Sequence, residues 1–402
     1  MNFDLLFAIL FYGLIALFYF RNKKKFKVQG KIFFLYPTHI GLKLMDRIAK
    51  SCPRVLKVLG YFGIVIGFSG MAYIFYVLVN GAFSLFLVPS AAPVVAPVLP
   101  GVKIPGAPVL SFFHWIIAIF LVAAVHEFSH GVFARLYNLK VKSSGFAFLG
   151  PILAAFVEPD ERQLAKAKKR EQLAVFSAGP FSNVVLGVIF FLIFSFATGP
   201  VESKTIDADG IIVGQVMAGF PAGKAGLEAP FVLRAVNGGE VLDFVNFSLV
   251  VSEIKPGDKV TLTTDKGSFD LVTVPNPDNS SKGFIGISGF DQKTKVKESF
   301  RKSYGLFAYK ALHWINLLIV WLFVINIGIG LFNLLPLGPV DGGRMFFVVL
   351  LSVFKDKSKA KRVWNFVSLL CLLFIVINML PWLGKLVIFL LKPFVFIISL
   401  LL

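Results

Sequence analysis

Six long apolar runs, at roughly 3–20, 58–80, 111–136, 173–198, 312–335 and 363–383, constrain this chain more than any other feature. A helix needs about 20 apolar residues to cross a bilayer, and only helices or closed barrels satisfy their backbone groups there. A seventh run, 385–402, is interrupted by Lys392 and Pro393 and set off from its neighbour by Pro381 and Gly384, so it either spans or lies in the interface. The first run starts at Met1 without a charged leader or a small-residue cleavage site, which reads as a retained anchor rather than a signal peptide. The expected fold is a polytopic α-helical membrane protein of about six to seven spans, with the lipid bilayer as its first partner. A hydrophobic content of 56% agrees, because soluble domains do not hold such residues in unbroken runs.

The net charge of +19 invites a nucleic-acid reading, but its placement argues against one. Eleven Lys and Arg residues between Arg21 and Lys57 crowd one loop, opposed only by Asp46. Lys166, Lys168, Lys169 and Arg170 crowd a second, and Lys355, Lys357, Lys359, Lys361 and Arg362 a third. Between them, loop 81–110 holds Lys103 as its only charge. Basic loops alternating with uncharged ones follow the positive-inside rule, which places the N-terminus outside and the basic loops in the cytoplasm. No nucleic-acid partner is expected. Cys52 falls in a predicted cytoplasmic loop and Cys371 in a span, so no disulfide framework is implied.

Composition changes between the fourth and fifth runs. Residues 201–290 carry short β-branched stretches bounded by Gly, Pro, Asn and Asp, as a small β-rich domain requires. The order "V-x-x-V", then "P-A-x-x-A-G-L" from Pro221, then a turn at Asn237-Gly238, resembles a PDZ domain. Such domains capture extended peptides at a sheet edge, which makes a peptide ligand a candidate partner. A spacer that binds nothing is the plain alternative. The charge pattern puts this insert outside the cytoplasm.

Inside the third run lies "HEFSH". Residues four apart on a helix share a face, so His126 and His130 can point at one ion, with Glu127 placed to act on water beside it. Neutral imidazoles bind zinc well, and a free carboxylate can take a proton from the attacking water. Five residues alone form a weak signal. Two imidazoles and a carboxylate within a span are costly, however, and such groups mark function by default. A buried polar cluster or a proton relay is the alternative. A catalytic zinc usually takes three protein ligands, so another is expected at membrane depth. Asp341, in "FNLLPLGPVDGGRMFF", follows the fifth run where Gly and Pro break the helix. Non-helical backbone at that depth lines a cavity or is buried in protein. His114 and His313 lie near the outer ends of their spans, and His39 sits in the basic loop; these read as interfacial, packing or solvated histidines. Asp4 reads as an interfacial residue near the outer end of the first run.

"HEFSH", "AGPFSN" and "NLLPLGPVDGG", in this order and with a PDZ-like insert between the second and third, resemble the site-2 protease family of intramembrane zinc metalloproteases. The likeness covers about 110–345. It implies one Zn2+ per chain on His126, His130 and Asp341, Glu127 as catalytic base, and Asn183 assisting at the substrate carbonyl. It implies transmembrane protein substrates. A multi-pass protein of a prokaryotic cell membrane is expected, and the topology puts His126 and His130 toward the cytoplasmic half of their span. The corresponding division is 1–109 for the N-terminal spans and basic loop, and 110–200 for the first half of a catalytic core. The insert takes 201–291, the second half of the core 292–354, and the C-terminal spans 355–402.

Asn183 lies ten residues into its run, where an amide needs a partner; a hydrogen bond between helices would serve as well as a substrate contact. Asn326 and Asn333 are similarly ambiguous, and Asn333 reads as support for the Asp341 loop. The apolar, Gly- and Pro-broken stretch 141–161 is too short to span and looks like the family's membrane-associated hairpin, whose edge can pair with an unwound substrate. An interfacial loop is the simpler reading. Two other functional classes remain open at this level. A proton-coupled transporter should show repeated halves, and no repeat is found; a dead scaffold has no reason to keep all four site residues.

Overall fold

The computed structural model describes the chain except residues 1–2, 30–32, 89–90, 103, 105–106, 150–151, 278, 355 and 402. Lys31, Lys103 and Lys355 of the charge pattern, and Gly150 and Pro151 of the apolar hairpin, lie outside the described residues. Two units separate, Met1–Phe194 with Leu317–Leu402, and Ser195–Asn316.

The first unit runs through α1 (Phe3–Asn22), β1 (Lys27–Gln29), β2 (Phe33–Thr38), α2 (Leu42–Ser51), α3 (Pro53–Leu87) and α4 (Phe112–Leu136). It continues with β3 (Val141–Leu149), β4 (Ile152–Pro159), α5 (Glu161–Lys166) and α6 (Lys169–Ile193). The second holds α7 (Gly199–Ser203), β5 (Ile206–Val216), α8 (Pro221–Lys224), β6 (Phe231–Val236), β7 (Gly239–Glu240) and α9 (Phe244–Ser252). Then come β8 (Lys259–Thr264), β9 (Gly267–Val272), β10 (Val274–Pro275), β11 (Gly283–Phe284) and β12 (Ile287–Val296). The chain returns to the first unit along α10 (Glu298–Asn333), followed by α11 (Asp341–Val353) and α12 (Lys357–Leu401).

Six helical segments among the described residues are long and apolar enough to cross a membrane: Asp4–Lys25, Pro53–Leu87, Phe112–Leu136, Lys169–Ser203, Glu298–Asn333 and Lys357–Ile388. With the β-rich second unit they make a polytopic helical membrane protein carrying one small β domain. The seventh run is not an element of its own. Helix α12 continues through Pro381, Gly384 and Pro393 to Leu401. In an apolar setting, a broken helix would expose more backbone than a proline leaves unbonded, so the helix persists.

The second unit is an antiparallel sheet of order β12-β5-β6-β8-β9, with β7 paired to β6 and a separate β10–β11 pair. Alternation along its strands buries Ile211, Val213, Leu233 and Leu262 completely. Pro221 opens the short α8, and Asn237 and Gly238, at φ 51° and 77°, turn β6 into β7. Both positive φ values suit the primed turn that tight hairpins favour. Asp209 is mostly buried, which pushes its carboxyl up, but Arg234 at 3.2 Å with Lys293 and Lys295 outweighs that and holds it below the usual range.

In the first unit, Gly60, Gly63 and Gly67 form a buried face of α3. A Cβ at Gly67 would stand 2.6 Å from Met345 Cε of α11. Small residues permit such approach where lipid offers no hydrophobic drive between helices. The wholly buried Asn378 of α12 donates to the Leu78 carbonyl of α3 at 3.0 Å. The expected hairpin is present as β3–β4, but it belongs to a four-stranded antiparallel sheet, β1-β2-β3-β4, half of it drawn from the basic loop. Strands β1 and β4 are its two edges. Asp4 does more than sit at an interface: its carboxylate accepts the Phe112 N–H at 2.6 Å and the Phe113 N–H at 3.3 Å, capping α4 from another helix. Unsatisfied N–H groups at a helix start favour an anion. Asp4→Ala should lower the melting temperature of the detergent-solubilised protein by the equivalent of about 0.5–2 kcal/mol, whereas Asp4→Asn keeps an acceptor and most of the stability. Equal melting of Asp4→Ala and the native chain would remove the cap from the account.

Candidate metal centre

Helix α4 is apolar nearly throughout, and its central turn puts His126 and His130 one above the other, 7% and 8% exposed. Their Nε2 atoms are 3.1 Å apart. Asp341 starts α11, and its Oδ2 lies 3.0 Å from His126 Nε2 and 3.2 Å from His130 Nε2. Among the described residues, these three form the one His/Cys/Asp/Glu group with ligand atoms close enough, within 4.8 Å, to share an ion. Two ligands about 2.1 Å from a tetrahedral zinc stand about 3.4 Å from each other, so the three edges come within a few tenths of an ångström of that geometry. Tautomers agree in part. His130 Nδ1–H donates to the Val175 carbonyl of α6 at 2.7 Å, which leaves the Nε2 lone pair aimed at the group.

Backbone packing sets the third corner. Pro336, Gly338 and Pro339 end the helical course between α10 and α11, as the sequence suggested, and α11 folds back on the loop. A Cβ at Gly342 would overlap the Leu334 and Leu335 carbonyls, and one at Gly343 the Leu337 carbonyl. The two glycines thus let the first turn of α11 press against the loop and deliver Asp341. Gly179 plays a similar part in α6, since a Cβ there would reach His126 Nε2 at 2.6 Å and would also strike His130.

Glu127 is on the same helix but outside the triangle. Its Oε2 accepts the Val157 N–H of β4 at 3.0 Å, and it lines a cavity of about 280 Å³ together with His126, His130 and Asp341. Val157 pairs with Ser144 across β3–β4, so its N–H points away from β3. Alternation then turns the Ala155 and Leu153 N–H groups outward too, and those of Ala154 and Phe156 inward. The cavity also reaches Asn333, Phe176, Glu161 and Arg344. Glu161 and Arg344 pair at 3.1 Å. The short α5 that carries Glu161 is capped by Asp160, where the Gln163 N–H, Lys142 and the Arg162 N–H hold the carboxyl below its usual range against desolvation.

Asn183 is fully buried and is not among the cavity residues; its amide nitrogen lies 3.0 Å from His126 Nδ1. Asn333, read from the sequence as loop support, donates to the Ile329 carbonyl and lines the cavity, while Asn326 bonds to the Leu322 carbonyl within its own helix. His114 is buried against Ser111 at 2.6 Å, His313 pairs with Glu202, and His39 is exposed; none joins the group. Sequence reasoning did not pick out Val175, Val157 or Gly179. The first two act through backbone atoms, which leave no residue signature; Gly179 stood inside the quoted "AGPFSN" without a part of its own.

Fold and site together define a multi-span membrane protein with a buried two-histidine, one-carboxylate group of the kind that holds a catalytic metal. The family model described as Peptidase family M50 matches residues 114–377, and the chain belongs to that family, the site-2 protease family of zinc metalloproteases. It is 29% identical over 334 residues to an uncharacterized protein of Methanocaldococcus jannaschii, spanning 82% of this chain and 80% of that one. It is 25% identical to the zinc metalloprotease RasP of Shouchella clausii, over 49% of this chain and 54% of RasP. RasP of Oceanobacillus iheyensis is 24% identical, over 55% and 62% of the respective chains. The matched stretch therefore spans a little over half the length of these two relatives.

Gly342→Ala should lower the zinc content of the purified protein well below that of Gly384→Ala, because a Cβ at Gly384 meets nothing within 4 Å. Equal zinc in both variants would mean that backbone approach at Gly342 does not position Asp341.

Proposed function

We propose that this chain is an intramembrane zinc metalloprotease that hydrolyses a peptide bond in or near transmembrane segments of membrane-protein substrates, the chemistry of regulated intramembrane proteolysis. The observation that carries the reading is the convergence of His126, His130 and Asp341 within membrane-crossing architecture, with Glu127 beside the same cavity. His126, His130 and Asp341 would hold one Zn2+ per chain. Bound there, zinc supplies Lewis-acid polarisation of a carbonyl and makes water more acidic. Glu127 takes the proton of the attacking water and passes it to the leaving amine. A helical substrate hides its peptide bonds, so it must unwind before cleavage. The outward N–H groups of Ala155 and Leu153 on β4 then offer a strand edge to the freed carbonyls.

The second unit is read as PDZ-like, with an extended peptide as its candidate ligand; its Pro221 helix and Asn237–Gly238 turn support this. The charge pattern supports an N-terminus and a β unit outside the cytoplasm, and water access to the zinc site from the cytoplasmic side. The bacterial and archaeal relatives support a prokaryotic cell membrane.

Glu127→Gln keeps the size and polarity of the side chain and loses the proton acceptor. Zinc should stay near one per chain while hydrolysis of a single-span reporter falls by several orders of magnitude. Asp341→Asn removes an anionic ligand, so zinc and activity should fall together. Substantial proteolysis by Glu127→Gln would overturn the assignment.

A further inference from the structure

We propose that Asn183 is a positioning residue for His126, setting its tautomer and thereby the zinc affinity, and that it does not contact the substrate carbonyl. The inference rests on the zinc-protease reading above and assigns a job that reading leaves open. Asn183 has no exposed surface and does not line the cavity, so a substrate carbonyl has no path to its amide. The hydrogen bond its amide makes is to the imidazole itself: Nδ2 donates to His126 Nδ1 at 3.0 Å. Among the described residues, Asn183 is the one hydrogen-bond partner of that nitrogen. On the other side of the ring, His126 Nε2 faces Asp341 and His130.

A neutral imidazole carries one N–H. While Nε2–H donates to Asp341, Nδ1 is an acceptor and the Asn183 NH₂ suits it. To give the Nε2 lone pair to a metal, the ring must carry its proton on Nδ1, which then needs an acceptor. His130 already has one in the Val175 carbonyl. For His126 the acceptor has to be the Asn183 amide oxygen, which is buried and has no hydrogen-bond partner in the present rotamer. A half-turn of the amide brings it to Nδ1. An amide serves both tautomers without a change of charge, whereas a fixed carboxylate or a plain donor would favour one.

The test uses full-length protein in detergent, with zinc affinity read by chelator competition and reporter cleavage read at saturating zinc. Asn183→Ala should weaken zinc about 10–100-fold, the usual effect of removing such a partner, with KM at saturating zinc within a few-fold of native. Asn183→Asp supplies a fixed acceptor for Nδ1–H and should restore zinc affinity to at least the native value. A packing role predicts the reverse order, because an unpaired buried carboxylate is worse than alanine. A substrate-carbonyl role predicts native zinc affinity in Asn183→Ala and a kcat lower by about 10²–10³. Either result overturns the proposal. If the alanine variant does not fold, the aspartate variant decides alone: native or tighter zinc supports the inference, and weaker zinc refutes it. Native protein without zinc would instead refute the underlying protease reading.

Discussion

Two imidazoles and two carboxylates stand in or beside apolar helices, and the need to satisfy them organises the rest of the first unit. A charge at membrane depth is tolerated only if it faces protein or water and finds a partner. Each of these does. Asp341 meets both imidazoles, the Val175 carbonyl takes the His130 N–H, the Asn183 amide meets His126, and the Val157 N–H meets Glu127. The partners come from α6, α11 and β4, so the site and the packing of the bundle are one problem with one solution. Glycine makes it possible: Gly342 and Gly343 stand where a methyl group would strike backbone carbonyls, and Gly179 where it would strike the two imidazoles.

The chemistry follows from which groups are tied and which remain open. His130 is fixed in one tautomer by a backbone carbonyl. Glu127 is held by an outward N–H of the edge strand, beside the cavity but outside the His126–His130–Asp341 triangle, a placement that suits the general base we propose. In the proposed mechanism the same edge strand receives the unwound substrate, which would give the scissile backbone and Glu127 one common neighbour.

Much of this was legible in the sequence, and the reasons are physical. Spacing of four on a helix places His126 and His130 together whatever the surrounding fold, and a helix broken by Gly and Pro at membrane depth singled out Asp341. Runs of apolar length announced the six helices, while Pro381 misled, since soluble rules for proline weaken in lipid. The hairpin at 141–161 was visible, but its partners β1 and β2 were hidden in a loop read only for charge; the aromatic and β-branched "KIFFLYPT" carried the signal. Asp4 capping α4, 108 residues away, is invisible to local pattern. Backbone donors and acceptors at Val157 and Val175 have no side-chain signature at all.

The most direct measurement is metal content and cleavage together. Purified protein is assayed on a single-span reporter before chelation, after it, and after return of one equivalent of zinc. The account predicts zinc near one per chain, loss of cleavage on its removal, and recovery on its return. Cleavage that persists in chelated, zinc-free protein would contradict it.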